Sequence, residues 1–184
     1  MPSRKDLVRT ELLAIQYRRG DHEAMGELVL IWQDPLHYYV RRLIPDDEEA
    51  LDVLQDVWVL VLRRFRQLRN PAAFPAWLFT IARNVAYGRL RKSQPQEMLT
   101  PDSLASQEEG EEDSDPLAKF TAERVHRALT KVSVAHRDCL TLRFIEGFAL
   151  AEVSQIVGVP VGTVKSRLHH AKKALRRVLE EESS

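Results

Sequence analysis

The chain has almost no cysteine. Cys139 stands alone among 184 residues, which excludes an internal disulfide and any Cys-x-x-Cys metal pair. Long apolar runs are missing too. The stretch Val57 to Leu62 is far shorter than the roughly 20 residues a transmembrane helix needs, so no membrane insertion is expected. The charged segment Met1 to Thr10 lacks the apolar centre of a secretory signal, and a cytoplasmic location is expected. Glycine occurs only 7 times and nowhere forms a phosphate-binding loop. With no nucleophile–base pair and no cluster of metal ligands, the sequence offers an enzyme nothing to work with, and no cofactor is expected. Alternating strand patterns of useful length are absent as well, which leaves helices.

What is present is a partition of charge. Lys and Arg equal Asp and Glu at 27 each, yet they are not mixed. Residues 1–93 hold 15 bases and 12 acids, 94–118 hold no base and 8 acids, and 119–184 hold 12 bases and 7 acids. Two basic blocks therefore flank an acidic tether. No Asp or Glu falls between Asp56 and Glu97, or between Glu152 and Glu180. A merely solvated helix face interleaves both signs, so such gaps favour a polyanionic partner.

The expected fold is all-α: two small helical domains, 1–92 and 119–184, joined by a flexible acidic linker over 93–118. Prolines 95, 101 and 116 and an excess of Glu, Asp, Ser and Gln leave that linker too little apolar surface to offset ordering entropy. A first helix is predicted from about Arg4 to Arg19, stopped by Gly20, with Asp21 capping the next. Pro35 restarts or kinks that second helix, which continues towards Leu43. Asp46 with Glu49 three residues on is a capping-box signature for a third helix. There Ala50, Leu51, Val53, Leu54, Val57, Trp58, Val61, Leu62 and Phe65 form the expected buried stripe, opposite Asp52, Gln55, Asp56, Val59 and Arg63. Past Asn70-Pro71 a fourth helix sets Phe74, Trp77, Leu78, Ile81 and Val85 on one side and ends in Arg89, Arg91 and Lys92. The spacing of Trp77 with Phe74 and Ile81 favours core packing over a stacking platform.

Four more helices are expected after Lys119. Val125, Leu129 and Val132 mark the first; Cys139, Leu140, Leu142, Phe144 and Ile145 mark the second, with Ser133 as its cap and Cys139 an inert buried thiol. The third runs from Leu150 to Val157 and the fourth begins near Val161. These last two have the logic of a helix-turn-helix. Leu150, Val153 and Ile156 point inward, small Ala151 admits close approach, Gly158 turns the chain, Val159 plugs the corner, and Val164 and Leu168 are buried at i, i+4. Thr163, Lys165, Ser166, Arg167, His169, His170, Lys172, Lys173, Arg176 and Arg177 then form its outer face. Hydroxyl and cationic donors at the start of such a helix suit base edges and phosphates in a major groove. For the adjacent His169 and His170, about 100 degrees apart on a helix, DNA contact is favoured over metal binding.

These residues resemble a known family. Val161-Gly-Thr-Val-Lys-Ser-Arg-Leu168, preceded by Leu142-Arg-Phe-Ile-Glu-Gly-Phe148, is similar to region four of the extracytoplasmic-function (ECF) sigma factors of the sigma-70 family. Leu51-Asp-Val-Leu-Gln-Asp-Val-Trp58, with Ala76-Trp-Leu-Phe-Thr-Ile-Ala-Arg-Asn84, resembles their region two. The resemblance implies a non-enzymatic protein that binds core RNA polymerase, directs it to promoter DNA and helps open the duplex. It implies docking of Asp52, Gln55 and Asp56 on the β′ coiled coil, a contact of the second domain with the β flap, and in many members an anti-sigma factor. It also implies duplex reading of the −35 element by the helix-turn-helix. The −10 element would be read as a single strand, with a flipped base held between the loop Leu68 to Ala73 and Arg83 and Asn84; within this surface Leu68, Arg69 and Asn70 belong to the loop. Arg63, Arg64, Arg66, Arg89, Arg91 and Lys92 would serve the backbone. Asn84 supplies both a donor and an acceptor for a Watson–Crick edge. Leu68 stands where several members carry an aromatic residue, a departure from the stacking arrangement.

The competing reading is a transcription regulator of the response-regulator output type, binding duplex DNA as a dimer without any sigma role. The second basic block, Arg63 to Lys92, argues against it, because such a regulator needs no single-strand surface.

Overall fold

A computed structural model describes residues 2–93 and 122–181. The segment read as a linker, apart from Ser93, lies outside the described residues, as does Lys119. Among the described residues every regular element is helical. The chain divides into two compact units, Met1–Arg89 and Leu90–Ser184.

The first unit is built from α1 (Arg4–Arg18), α2 (Glu23–Leu43), α3 (Asp47–Arg64) and α4 (Phe74–Ser93) as far as Arg89, with two short 3-10 turns, Phe65–Gln67 and Pro71–Ala73, between the last two. Local chemistry sets the ends. Ser3 and Asp6 cap α1 reciprocally, and Gly20 ends it in a left-handed conformation, φ +100°. Asp46 caps α3 by accepting the Glu49 N–H at 2.8 Å. The N-cap position of α2 is His22, whereas the Asp21 carboxylate, expected as that cap, forms a turn just before the helix by accepting the Glu23 N–H at 3.1 Å. Pro35 neither restarts nor ends α2, which runs through it unbroken.

The core of this unit is aromatic. Trp32, Tyr39, Phe74 and Phe79 are fully buried, and their rings meet at centroid distances of 5.0 to 6.4 Å. The Trp32 indole N–H donates to the Thr10 hydroxyl at 2.9 Å, and that hydroxyl donates in turn to the Asp6 carbonyl at 2.7 Å. A buried polar group is thus satisfied at the α1–α2 seam, where leaving it unpaired would cost about 1–3 kcal/mol.

Helix α3 corrects the sequence expectation. Ala50, Val53, Val57, Val61 and Phe65 are buried, but Leu51 is 57 % exposed and Leu62 50 % exposed, and Leu54 and Trp58 are only half-buried. The stripe that packs inward is one residue per turn wide. Leu51, Val59 and Leu62 face out.

The second unit contains α5 (Ala122–Thr130), α6 (Val134–Leu140), a π-turn over Thr141–Ile145, α7 (Leu150–Val157) and α8 (Val161–Glu181). Ser133 caps α6 through a 3.4 Å bond from the His136 N–H, and Cys139 is buried. Arg137, almost fully buried, donates to the carbonyls of Leu129, Thr130 and Val132 at 2.8, 3.0 and 3.1 Å. It closes the C-terminal end of α5, where carbonyls lack helical partners.

Candidate functional site

The helix-turn-helix is assembled by turn chemistry. Gly158 sits at φ +73°, the left-handed region where a side chain is strained. The Ser154 hydroxyl donates to the Val159 carbonyl at 2.6 Å, tying α7 to the corner. The Ala149 N–H is taken by the Glu152 carboxylate at 2.8 Å, which satisfies an orphan donor at the start of α7. Val153, Ile156, Val164 and Leu168 are buried as expected, while Leu150 and Val159 are half-buried. Ala151 is exposed, so it does not admit the partner helix. Val153 and Ile156 are the buried residues of α7 on the side expected to face α8.

Along α8 the expected outer residues separate into two groups. Lys165, Lys173, Arg176 and Arg177 are exposed; Thr163, Ser166, Arg167, His169, His170 and Lys172 are half-buried. The Arg167 Nε is buried, so the root of its guanidinium turns towards the domain. The Lys172 ammonium lies 4.9 Å from the centre of the Phe144 ring, a cation–π contact that draws it off the outer face. The His169 and His170 rings are nearly perpendicular, 5.5 Å apart. No group of three or more His, Cys, Asp or Glu suited to a metal ion occurs among the described residues.

On α3, α4 and the loop between them, Arg63, Arg64, Arg66, Arg69, Asn70, Asn84, Arg91 and Lys92 are exposed. Asn84 and Arg91 lie two turns apart on one side of α4 with Gly88 between them, and nothing lies within 4 Å of where a Cβ on Gly88 would sit. Arg83 stacks on Tyr87, its guanidinium carbon 4.1 Å from the ring centre. Leu68 is buried at 3 % exposure, so it turns into the core and cannot meet an extruded base from this position. Trp77 packs half-buried against Phe65 and Phe74, each 6.1 Å away, as its spacing predicts.

The loop between α3 and α4 is held from a direction the sequence did not signal. Arg18, at the end of α1, donates to the Arg69 carbonyl at 3.2 Å. Tyr17 packs edge-on against Phe65 at 4.6 Å. The Asn70 side chain accepts the Ala72 N–H at 3.1 Å and shapes the turn itself. Nothing in the local pattern of α1 reveals a contact across some fifty residues.

On α3 the exposed arc holds Asp52, Gln55 and Asp56 beside Leu51, Val59 and Leu62. At 100 degrees per residue, Leu51 and Leu62 form one edge, Val59 the middle and the two aspartates the other edge. The guanidinium of Arg89 on α4 sits 3.9 Å from each of Glu49, Asp52 and Asp56.

An acidic and apolar face on α3, a basic loop-and-helix surface and, in the other unit, a helix-turn-helix are the class of surfaces a DNA-associated regulatory protein carries. Residues 28–96 match the model of sigma-70 region 2, and residues 122–175 match that of sigma-70 region 4. The RNA polymerase sigma-H factor of Pseudomonas aeruginosa is 31% identical over 183 residues, covering 91% of this chain and 92% of the relative. The ECF sigma factor SigW of Bacillus subtilis is 25% identical over 174 residues, covering 89% and 93%. The ECF sigma-E factor of Escherichia coli is 29% identical over 175 residues, covering 90% and 91%.

Two solved structures share the fold. CnrH, in complex with the cytosolic domain of CnrY, superposes with a TM-score of 0.69 at 24% identity, covering 95% of this chain and 99% of that one. The sigma factor RpoE, with the anti-sigma factor NepR from Bartonella quintana, gives 0.66 at 23%, covering 84% and 96%. The chain belongs to the ECF sigma factors of the sigma-70 family, and it directs RNA polymerase in transcription initiation. The match to region 2 leaves the lone helix-turn-helix regulator without support.

Proposed function

We propose that the two units divide the work of initiation. Residues 1–92 dock on core polymerase and read the −10 element as a single strand, and 119–184 anchor the −35 element as duplex. The protein acts without catalysing a reaction itself and works in the cytoplasm, where core polymerase and promoters are. No helix among the described residues is long and apolar enough to cross a membrane.

One observation supports the docking assignment: on the exposed face of α3 the carboxylates of Asp52 and Asp56 stand beside the apolar side chains of Leu51, Val59 and Leu62. Leu51, Val59 and Leu62 lie together on one arc beside charge, and interface centres are apolar and flanked by charge that steers the partner. Asp52, Gln55, Asp56, Leu51, Val59 and Leu62 are therefore proposed to meet the β′ coiled coil, and the second unit the β flap. For −35 reading, Lys165 leads on exposure, with Thr163, Ser166, Arg167, His169 and His170 at its flanks and Lys173 on phosphate. Lys172 takes a smaller share because Phe144 holds it. For −10 reading, Asn84 with Arg83 faces the base, while Arg63, Arg66, Arg69, Asn70, Arg91 and Lys92 follow the strand. Leu68 supports this loop from beneath. An anti-sigma factor is a further expected partner, since both structural neighbours were solved with a second protein.

The test is charge reversal. Asp52→Lys with Asp56→Lys is expected to weaken core binding by about tenfold or more, the scale of 1–3 kcal/mol for charged interface groups. Binding of −35 duplex by the same protein should be unchanged. Unaltered affinity for core would remove the docking assignment.

A further inference from the structure

We propose that Arg89 is a built-in competitor for the polymerase-docking carboxylates, an inference that rests on the docking role given above to Asp52 and Asp56. Its place in the sequence, among the cations that close α4, groups it with Arg91 and Lys92 as a DNA-backbone residue. Its geometry says otherwise. Arg91 lies on the Asn84–Gly88 side of α4, and Arg89 is rotated 100 degrees from Gly88 towards α3. There its Nε lies 3.9 Å from Glu49 Oε1, and its Nη2 lies 3.9 Å from both Asp52 Oδ2 and Asp56 Oδ2.

One guanidinium thus faces three carboxylates, two of which stand on the docking arc. Asp52 and Asp56 are each more than 60 % exposed, whereas Arg89 is 36 % exposed. The carboxylates remain open to a partner while Arg89 sits behind them. At 3.9 Å the pairs are ionic without being hydrogen bonds, so they hold the cluster weakly and yield to better donors. Two consequences follow. Arg89 relieves repulsion among three acids of one helix face. It also reduces the net charge of this cluster, as a basic partner meets it, from three negative to two. Electrostatic steering scales with that charge, so Arg89 slows association and makes the partner's cations displace it. The acid-free run from Asp56 to Glu97 is therefore not uniformly a nucleic-acid surface; Arg89 belongs to the protein-docking side.

The experiment measures association of the full-length protein with core RNA polymerase by stopped-flow at low and high salt. Arg89→Gln is expected to associate about two- to fivefold faster at low salt, an advantage that fades as salt rises. Arg89→Lys, which keeps the charge, should resemble the parent. In an Asp52→Asn/Asp56→Asn background Arg89→Gln should give no gain. If Arg89→Gln associates no faster while Asp52→Asn/Asp56→Asn still weakens binding, the competitor role is wrong and docking stands. If Asp52→Asn/Asp56→Asn leaves core binding intact, the docking reading itself has failed. A fall in single-stranded −10 DNA affinity with Arg89→Gln, without change in core association, would return Arg89 to the DNA surface.

Discussion

The two units treat large apolar side chains differently. In the first, Leu7, Val8, Leu12, Leu30, Tyr38, Leu51, Val59 and Leu62 are exposed; in the second, among the described residues, Val161 alone is. Both bury well-packed cores, so the contrast is not one of folding quality. On the proposed function it reflects what each surface meets. Protein interfaces need apolar centres, whereas nucleic-acid interfaces are polar, basic and wet. The first unit thus has the surface expected of the proposed polymerase-docking unit, with a basic loop and helix added. The second has that of a DNA-binding module, with Lys165, Lys173, Arg176 and Arg177 in solvent.

The largest expected effect tests the cores. Trp32→Ala removes a fully buried indole together with its hydrogen bond to the Thr10 hydroxyl. It should cost about 3–5 kcal/mol of stability in denaturant unfolding. Duplex binding by the second unit should survive in the same protein, because its core shares no residue with this one. Loss of both together would show that the contrast between independent units is misplaced.

Next comes the surface contrast itself. Leu51→Ser with Leu62→Ser should leave unfolding within about 0.5 kcal/mol of the parent, as surface changes do. Core binding should fall about tenfold, the loss of a desolvated interface group. A large stability loss with unchanged core affinity would make these leucines packing residues, as the sequence pattern first suggested.

That pattern explains how much was legible. Helix ends were readable because caps are local: Asp46 before Glu49, Ser133 before His136, Gly158 after Val157. The helix-turn-helix was readable for the same reason. The width of the α3 stripe was not, since apolar residues at helical spacing are consistent with burial against neighbours or with display to a partner. Periodicity carries no sign for that choice. Leu68, Arg18 and Arg89 failed to show for another reason: their partners lie on other elements, and only the packing of α1, α3 and α4 brings them near. At Ala151, size suggested a close approach that the observed exposure does not bear out.

Smaller effects compare two lysines of α8. Lys165→Ala should weaken −35 duplex binding and lower the slope of log affinity against log salt by about one, the signature of a lost phosphate contact. Lys172→Ala should change that slope less, since Phe144 already holds its ammonium. Equal slopes for the two variants would mean that the cation–π contact is given up on DNA.

The smallest effect is at the start of α1. The Asp6 carboxylate accepts the Ser3 hydroxyl at 2.7 Å and the Ser3 N–H at 2.9 Å, and these bonds hold its carboxyl below the ordinary value. Because the folded value is the lower one, the cap contributes fully above the unfolded carboxyl value and is lost as pH falls through the folded one. In a titration followed by NMR, Ser3→Ala should move the Asp6 midpoint upward. An unmoved midpoint would show the capping bonds to be absent in solution.

The division of labour is tested most directly by photo-crosslinking within one open promoter complex. A crosslinking side chain is placed in turn at Val59, Asn84 and Lys165 of the full-length protein bound to core polymerase. Position 59 should capture the β′ subunit, position 84 the exposed strand of the −10 element, and position 165 the upstream −35 duplex. Capture of DNA from position 59, or of polymerase in place of duplex from position 165, would contradict the account.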